Sequence, residues 1–181
     1  MADHGSILVT GAAGQLGAVG RTVTGLLLDR GLPVRAMVRR EDDRAAALRA
    51  AGAEVVVGDL LEPADVYRVV SGCRRVYFGM SVSAGYLEAT MTMAAVAREV
   101  GVNALVNMSQ MTVSQMTVFL EGFFLRFAAP TVRDRGRIEL PFGRGKTSPV
   151  AAADVARVVA AVLADPGPHL GRIYELTGPR S

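Results

Sequence analysis

The sequence predicts an α/β fold, a doubly wound parallel sheet flanked by helices. Three observations carry that expectation. Short β-branched apolar runs alternate with helix-spaced amphipathic segments through the first hundred residues. Glycine or proline punctuates the changes from one to the other. At 181 residues, the chain amounts to about one domain of roughly 150 residues rather than two, and nothing in it reads as a linker, repeat or low-complexity stretch. One domain, residues 1–181, is therefore expected, with a small partial lobe around 118–150.

Each element has its own local reason. Ile7-Leu8-Val9-Thr10 is too brief for a helix and suits a buried strand. Leu16, Val19, Val23, Leu26 and Leu27 then recur at helical spacing until Gly31 and Pro33 stop the helix. Val34–Val38 reads as a second strand. Asp42 or Asp43 can cap a helix through Ala51, which Gly52 ends. Glu54–Val57 is a third strand, closed by Gly58-Asp59. Pro63 suits a first helical turn, and that helix runs to Ser71-Gly72. Val76–Gly79 is a fourth strand, Tyr86–Val100 a helix with Ala89, Met93, Val96 and Val100 on one side, and Ala104–Asn107 a fifth strand. Further on, Val155, Val158, Val159, Val162 and Leu163 mark an amphipathic helix, with Asp154 in the first turn where the helix dipole favours it.

Composition excludes several function classes. Half the residues are hydrophobic and a fifth charged, which is ordinary for a globular protein. A single cysteine, Cys73, cannot form an internal disulfide, and with His4 and His169 it cannot by itself complete a zinc site. No apolar run approaches the ~20 residues of a membrane span, and Met1–Ser6 lacks the regions of a signal peptide. A cytoplasmic protein is expected, with no membrane and no nucleic-acid partner. The net charge of +3 comes from nineteen arginines and Lys146, spread along the chain without a run longer than Arg39-Arg40 or Arg74-Arg75. A nucleic-acid footprint would cluster. The charge reads mostly as solvated surface.

The turn after the first strand carries chemistry. Gly11-Ala12-Ala13-Gly14-Gln15-Leu16-Gly17 sits between strand and helix, where Gly11 permits the tight turn, Gly14 lets a pyrophosphate approach, and Gly17 lets the helix pack close. Free N–H groups and the positive end of the helix would face the phosphates. Gly11, Ala13, Gly14, Gln15, Leu16 and Gly17 are the candidate cofactor-binding residues here. At the end of the second strand, where an acid would accept bonds from the ribose of NAD, the chain has Arg39 and Arg40. An arginine fork suits a 2′-phosphate, so NADP(H) is expected over NAD(H), with Arg39 the leading contact.

The segments Thr10–Gly17, Val38-Arg39, Gly58-Asp59-Leu60, Thr117–Phe124 and Tyr174–Pro179 resemble the NmrA-like branch of the atypical short-chain dehydrogenases/reductases over nearly the whole chain. That resemblance implies a Rossmann-type fold binding NADP(H). It also implies that Asp59 and Leu60 border the adenine, that Gly79, Met80 and Ser81 pass the nicotinamide side, and that Tyr174–Pro179 forms a late strand.

The chain also departs from the family. The short-chain reductases usually activate a substrate oxygen with a Tyr, a Lys four residues later, and a Ser from the end of the fifth strand. Tyr67, Tyr77, Tyr86 and Tyr174 are followed four residues on by Ser71, Ser81, Thr90 and Gly178, so no Tyr-x-x-x-Lys exists. Ser109 stands in the serine's place and reads equally well as a strand-end turn residue; the catalytic residues stay open. Members of the NmrA-like branch commonly lack the tyrosine and include both quinone reductases and non-catalytic NADP sensors. Only Met111 to Met116 lie between Gln110 and Thr117, too few for a parallel crossover, which needs about a dozen residues. Compared with the family, one helix and the sixth strand are missing between Met116 and Thr117. Either the native protein carries a segment lacking here, or the chain is a shortened form. Relatives also continue beyond Ser181 into more of the substrate lobe. Phe119, Phe123, Phe124 and Phe142 fit either an aromatic pocket or ordinary core, and Arg144-Gly145-Lys146 reads as a loop.

Two functions fit these residues. The leading one is an oxidoreductase passing hydride from NADPH to a quinone or similar small acceptor, which needs little help from a protein acid. The alternative is a non-catalytic NADP-binding redox sensor acting through a protein partner. The oligomeric state, a homo-oligomer included, is left open.

Overall fold

The computed structural model describes residues 5–14, 18–81, 83–108, 128–138 and 150–178. Strands and helices alternate as β1 (Ser6–Val9), α1 (Val19–Leu28), β2 (Val34–Val38), α2 (Asp43–Ala50), β3 (Glu54–Val57), α3 (Pro63–Val70), β4 (Cys73–Phe78), α4 (Tyr86–Glu99) and β5 (Ala104–Asn107). Helices α5 (Ala129–Arg135) and α6 (Ala152–Ala164) follow. All strand pairs are parallel, in the order β3-β2-β1-β4-β5. The chain winds outward from β1 to β3, then returns to β1's other side. This is the doubly wound α/β fold that the alternating pattern predicts.

The period of two sorts the strand residues between two cores. Ile7, Val9, Ala36 and Tyr77 face one side, where α1 and α6 cover them with Val23, Leu27, Val155, Val159 and Leu163. Leu8, Met37, Val76 and Phe78 face the other, against Val66, Val69 and Val70 of α3 and Met93 and Val96 of α4. Both faces are covered, which is why the strands read as continuous apolar runs.

Most of the described arginines are exposed, as a solvated charge requires, but three of them reach backbone carbonyls of the helices. Arg75 is buried, and its Nη1 donates to the carbonyls of Leu163 and Ala164 at the C-terminal end of α6 (3.2 Å to Ala164). Arg30 donates to Ala160 O of the same helix at 2.8 Å. Arg35 reaches the carbonyls of Val69 and Ser71 at the end of α3, at 2.9 and 2.8 Å. A guanidinium meets the orphan carbonyls and the negative pole of a helix end with several donors at once. Arg35 and Arg75 thus tie α3 and α6 to the sheet, and Arg30 ties the turn after α1 to α6.

Several boundaries differ from expectation. Strand β4 starts at Cys73 rather than Val76, because Arg74 and Arg75 hide its alternation and Arg75 spends its charge on α6. Of the two possible caps for α2, Asp42 holds the place, accepting from the N–H groups of Arg44 at 3.0 Å and Ala45 at 3.2 Å. Helix α5 was not anticipated; Pro130 in its first turn and Gly136 in the left-handed conformation after it are its local signals. Residues Tyr174–Gly178 form no strand, contrary to the resemblance. Among the described residues the sheet ends at β5, and no further strand stands there for them to pair with. Residues 109–127, where the missing crossover was placed, and most of the lobe around 118–150 lie outside the described residues.

The packing of α1 on the sheet depends on Gly20. A Cβ there would stand 2.5 Å from Thr10 O and 2.7 Å from Gly11 O, both backbone atoms that cannot swing away. Gly25, in the same helix, has open space around its missing Cβ. Gly20→Ala should therefore cost about 2 kcal/mol or more in urea unfolding. Gly25→Ala should gain about 0.5–1 kcal/mol from helix propensity alone. Equal effects at the two positions would contradict this packing.

Candidate active site

Where β1 and β4 lie side by side, the connections leaving them go to opposite faces of the sheet, and a crevice opens at their C-terminal ends. Thr10 closes its floor. Its buried hydroxyl donates to Gly79 O at 2.9 Å and accepts from Gly79 N–H at 2.8 Å, satisfying both backbone groups of a residue 69 positions away. Gly11 follows with φ of +67°, and a Cβ on it would meet Gly79 O at 2.9 Å. Only a glycine, free at positive φ and without a side chain, lets the two strand ends approach this closely.

Above this floor lies a cleft of about 1050 Å³. That is at the upper end of the range for small-molecule and cofactor sites. The structure brings most of the expected residues to it. Gly11, Ala13 and Gly14 after β1, Arg39 after β2, Asp59 and Leu60 after β3, and Gly79, Met80 and Ser81 after β4 all line it, so in the strand order the glycine turn falls between an arginine end and a Gly79–Ser81 end. Gln15, Leu16, Gly17 and Ser109 lie outside the described residues.

The end lined by Arg39 is built from charge. Arg39 Nη2 pairs with Asp59 Oδ2 at 3.2 Å, and Arg40 Nε with Asp42 Oδ2 at 3.5 Å. Arg44, which sequence reasoning missed, donates through Nε to Asp42 Oδ2 at 3.0 Å and through Nη1 to the carbonyl of Ala13 at 3.2 Å. It ties the start of α2 to the glycine turn. The Arg44 guanidinium, with the capped N–H groups of Ala45 and Arg44 behind it, holds the Asp42 carboxyl well below its ordinary range, at about 2. The signal in the sequence was the Asp42-x-Arg44 spacing, which capping alone explained.

The other end is less polar. Tyr77 reaches the cleft from β4, and its buried hydroxyl donates to Met108 Sδ at 3.4 Å. Tyr86 Oη donates to Met108 O at 2.9 Å. Burial pushes the Tyr77 phenol up from its ordinary value, with Tyr86 nearby adding to it. A phenol held in its neutral form is a poor base, in keeping with the missing Tyr-x-x-x-Lys. Among the described residues no cluster of three His, Cys, Asp or Glu side chains could hold a metal ion, and no helix is long and apolar enough to cross a membrane.

A parallel doubly wound sheet with a glycine turn at its switch point defines a dinucleotide-binding class of protein. Residues 11–128 match the NAD(P)H-binding family, and the chain belongs to it. It is 28% identical to an NAD(P)H azoreductase of Xenophilus azovorans over 201 aligned positions, covering 97% of this chain and 68% of that protein. Because the alignment is longer than the 181-residue chain, that relative carries residues with no counterpart here. A (4-alkanoyl-5-oxo-2,5-dihydrofuran-3-yl)methyl phosphate reductase of Streptomyces griseus is 31% identical, with 97% of this chain and 68% of that protein covered. An NADPH-dependent quinone oxidoreductase of Escherichia coli, solved with NADPH, shares the fold with a TM-score of 0.79 at 22% identity, covering 96% of this chain and 70% of that one. These relatives accord with the resemblance to the NmrA-like reductases.

The Thr10 stitch makes a direct prediction. Thr10→Val keeps the shape and removes the hydroxyl, leaving both backbone groups of buried Gly79 without that partner. It should cost about 1–3 kcal/mol of stability, whereas Thr10→Ser should recover most of it. Denaturant unfolding of the two variants checks this, and a Val variant as stable as the Ser variant would contradict it.

Proposed function

We propose that the protein is an NADPH-dependent reductase that delivers hydride to a quinone or a similar conjugated electrophile. The observation that carries this reading is the cleft itself. The glycine turn, Arg39 with Asp59, and Gly79–Ser81 all line one crevice of about 1050 Å³. Bound there, the reduced nicotinamide supplies the hydride.

The residues fit such a ligand. With no side chains at Gly11 and Gly14, a pyrophosphate can reach the backbone and the N-terminal end of α1, whose dipole favours anions. Arg39, with Arg40 and Arg44 beside it, faces the adenosine ribose, where a 2′-phosphate gives a guanidinium two oxygens to grip. Asp59 and Leu60 border the adenine. Gly79, Met80 and Ser81 run along the nicotinamide, and the neutral, mostly apolar end around Tyr77 and Met108 positions a flat acceptor rather than protonating it. An acceptor already activated toward hydride needs positioning more than acid catalysis. The acceptors named for the relatives, a quinone and an azo compound, are conjugated electrophiles of this kind. The whole chain acts as one cofactor-binding domain, with residues around 118–150 contributing to the acceptor side. A cytoplasmic setting suits a reductase fed by the NADPH pool.

Two measurements test the proposal. NADPH should be consumed with members of a quinone and azo-dye panel, and binding without turnover on any acceptor would favour the sensor alternative. Charged hydrogen bonds are worth ~1.5–3 kcal/mol, so affinity for NADPH should exceed that for NADH by roughly ten- to a hundredfold. Arg39→Ala should reduce that ratio, chiefly by weakening NADPH with NADH nearly unaffected, and the loss is partial where Arg40 shares the contact. Equal wild-type affinities would contradict the arginine's role.

A further inference from the structure

The charged end of the cleft is unevenly balanced. Arg40 and Arg44 both lean on Asp42, and Arg44 is further held by the carbonyl of Ala13. Arg39 pairs instead with Asp59, across the cleft end from β2 to the loop after β3. The two partners of this pair are not equally free. Asp59 is anchored on both sides of its Cα: its Oδ1 accepts from Leu61 N–H at 3.0 Å, and its own N–H donates to Asp65 Oδ2 at 2.9 Å. Arg39 is a long side chain, 82% exposed, whose guanidinium can swing.

We infer that Asp59 is a specificity-determining residue whose carboxylate competes with the cofactor's 2′-phosphate for Arg39. The inference rests on the NADPH reading above and deepens it. A cofactor without the 2′-phosphate leaves the Arg39–Asp59 pair intact and loses nothing by it. A cofactor carrying the phosphate gains the arginine only by drawing it from a carboxylate that cannot follow. The carboxylate therefore holds the preference for NADPH below what Arg39 alone would give. Because the pair is exposed, its hold is modest, and removing it should matter by a small factor.

Asp59→Asn is the suitable variant, since the amide oxygen keeps the acceptor for Leu61 N–H while the charge is lost. Dissociation constants for NADPH and NADH are measured for the wild type, Asp59→Asn, Arg39→Ala and the double variant. The expected result is a rise of about two- to fivefold in the NADPH-over-NADH ratio for Asp59→Asn, and no such rise in the Arg39→Ala background. Should both cofactors weaken together with the ratio unchanged, Asp59 serves the adenine side alone and the inference is overturned. A rise of the same size in both backgrounds also overturns it, because the carboxylate would then repel the phosphate without Arg39. A ratio that collapses in Arg39→Ala yet is unmoved in Asp59→Asn keeps the NADPH reading and discards the competition. If the wild type binds neither cofactor, the NADPH reading itself falls, and this inference with it.

Discussion

At the parting of β1 and β4 the backbone has to turn sharply, stay hydrogen-bonded out of water and leave room for a ligand. Thr10 meets the second demand by satisfying both polar groups of Gly79. Gly11 meets the first at positive φ, within 2.9 Å of Gly79 O if it carried a Cβ. Gly20 lets α1 come down onto the same point, where any side chain would strike the carbonyls of Thr10 and Gly11. The three contacts lie within a few ångströms of one another. Loosening any of them would move the turn that the cofactor has to meet, so the stability of the domain and the shape of its site depend on the same atoms.

Around this junction the arginines divide by location. Away from the cleft, exposed Arg30, half-buried Arg35 and buried Arg75 give their donors to carbonyls at or near helix C-terminal ends, which the fork-shaped guanidinium serves better than an ammonium would. At the cleft end, Arg39, Arg40 and Arg44 are held by carboxylates that a phosphate can supplant or join. One residue type thus serves packing in one place and anion recognition in another. The distinction lies in what each guanidinium touches.

The fold was legible because its signals are local. β-branched runs, Pro63, the glycines after the first three helices and the apolar spacing of the fourth place the five strands and the first four helices to within a few residues. The glycine turn and Arg39 were legible for the same reason, since each lies directly at the end of a strand. What stayed hidden is long-range. Gly20 reads as an ordinary helical glycine until the sheet brings Thr10 O beneath it. Arg44 reads as a surface residue beside its cap until α2 swings it to Ala13. Strand β4 looks shorter in the sequence because Arg75 is charged and yet buried, its donors met by the carbonyls of α6. The late strand expected at Tyr174–Pro179 rests on resemblance, and strand formation needs a neighbour that no local sequence supplies. The pairing of Arg39 with Asp59 joins residues twenty positions apart, which only the sheet order reveals.

If the Gly11–Gly14 turn is where the pyrophosphate docks, a side chain at Gly14 must exclude the cofactor without unfolding the protein. A Cβ there would sit 3.1 Å from Gly11 O and 3.8 Å from Ala18 Cα, so the backbone has little to absorb beyond a small local shift. Calorimetric titration of Gly14→Leu with NADPH, beside a thermal melt of the same preparation, separates the two effects. Loss of measurable NADPH binding in a variant that melts within a few degrees of the wild type is the expected result. Unchanged NADPH affinity in Gly14→Leu would contradict the site.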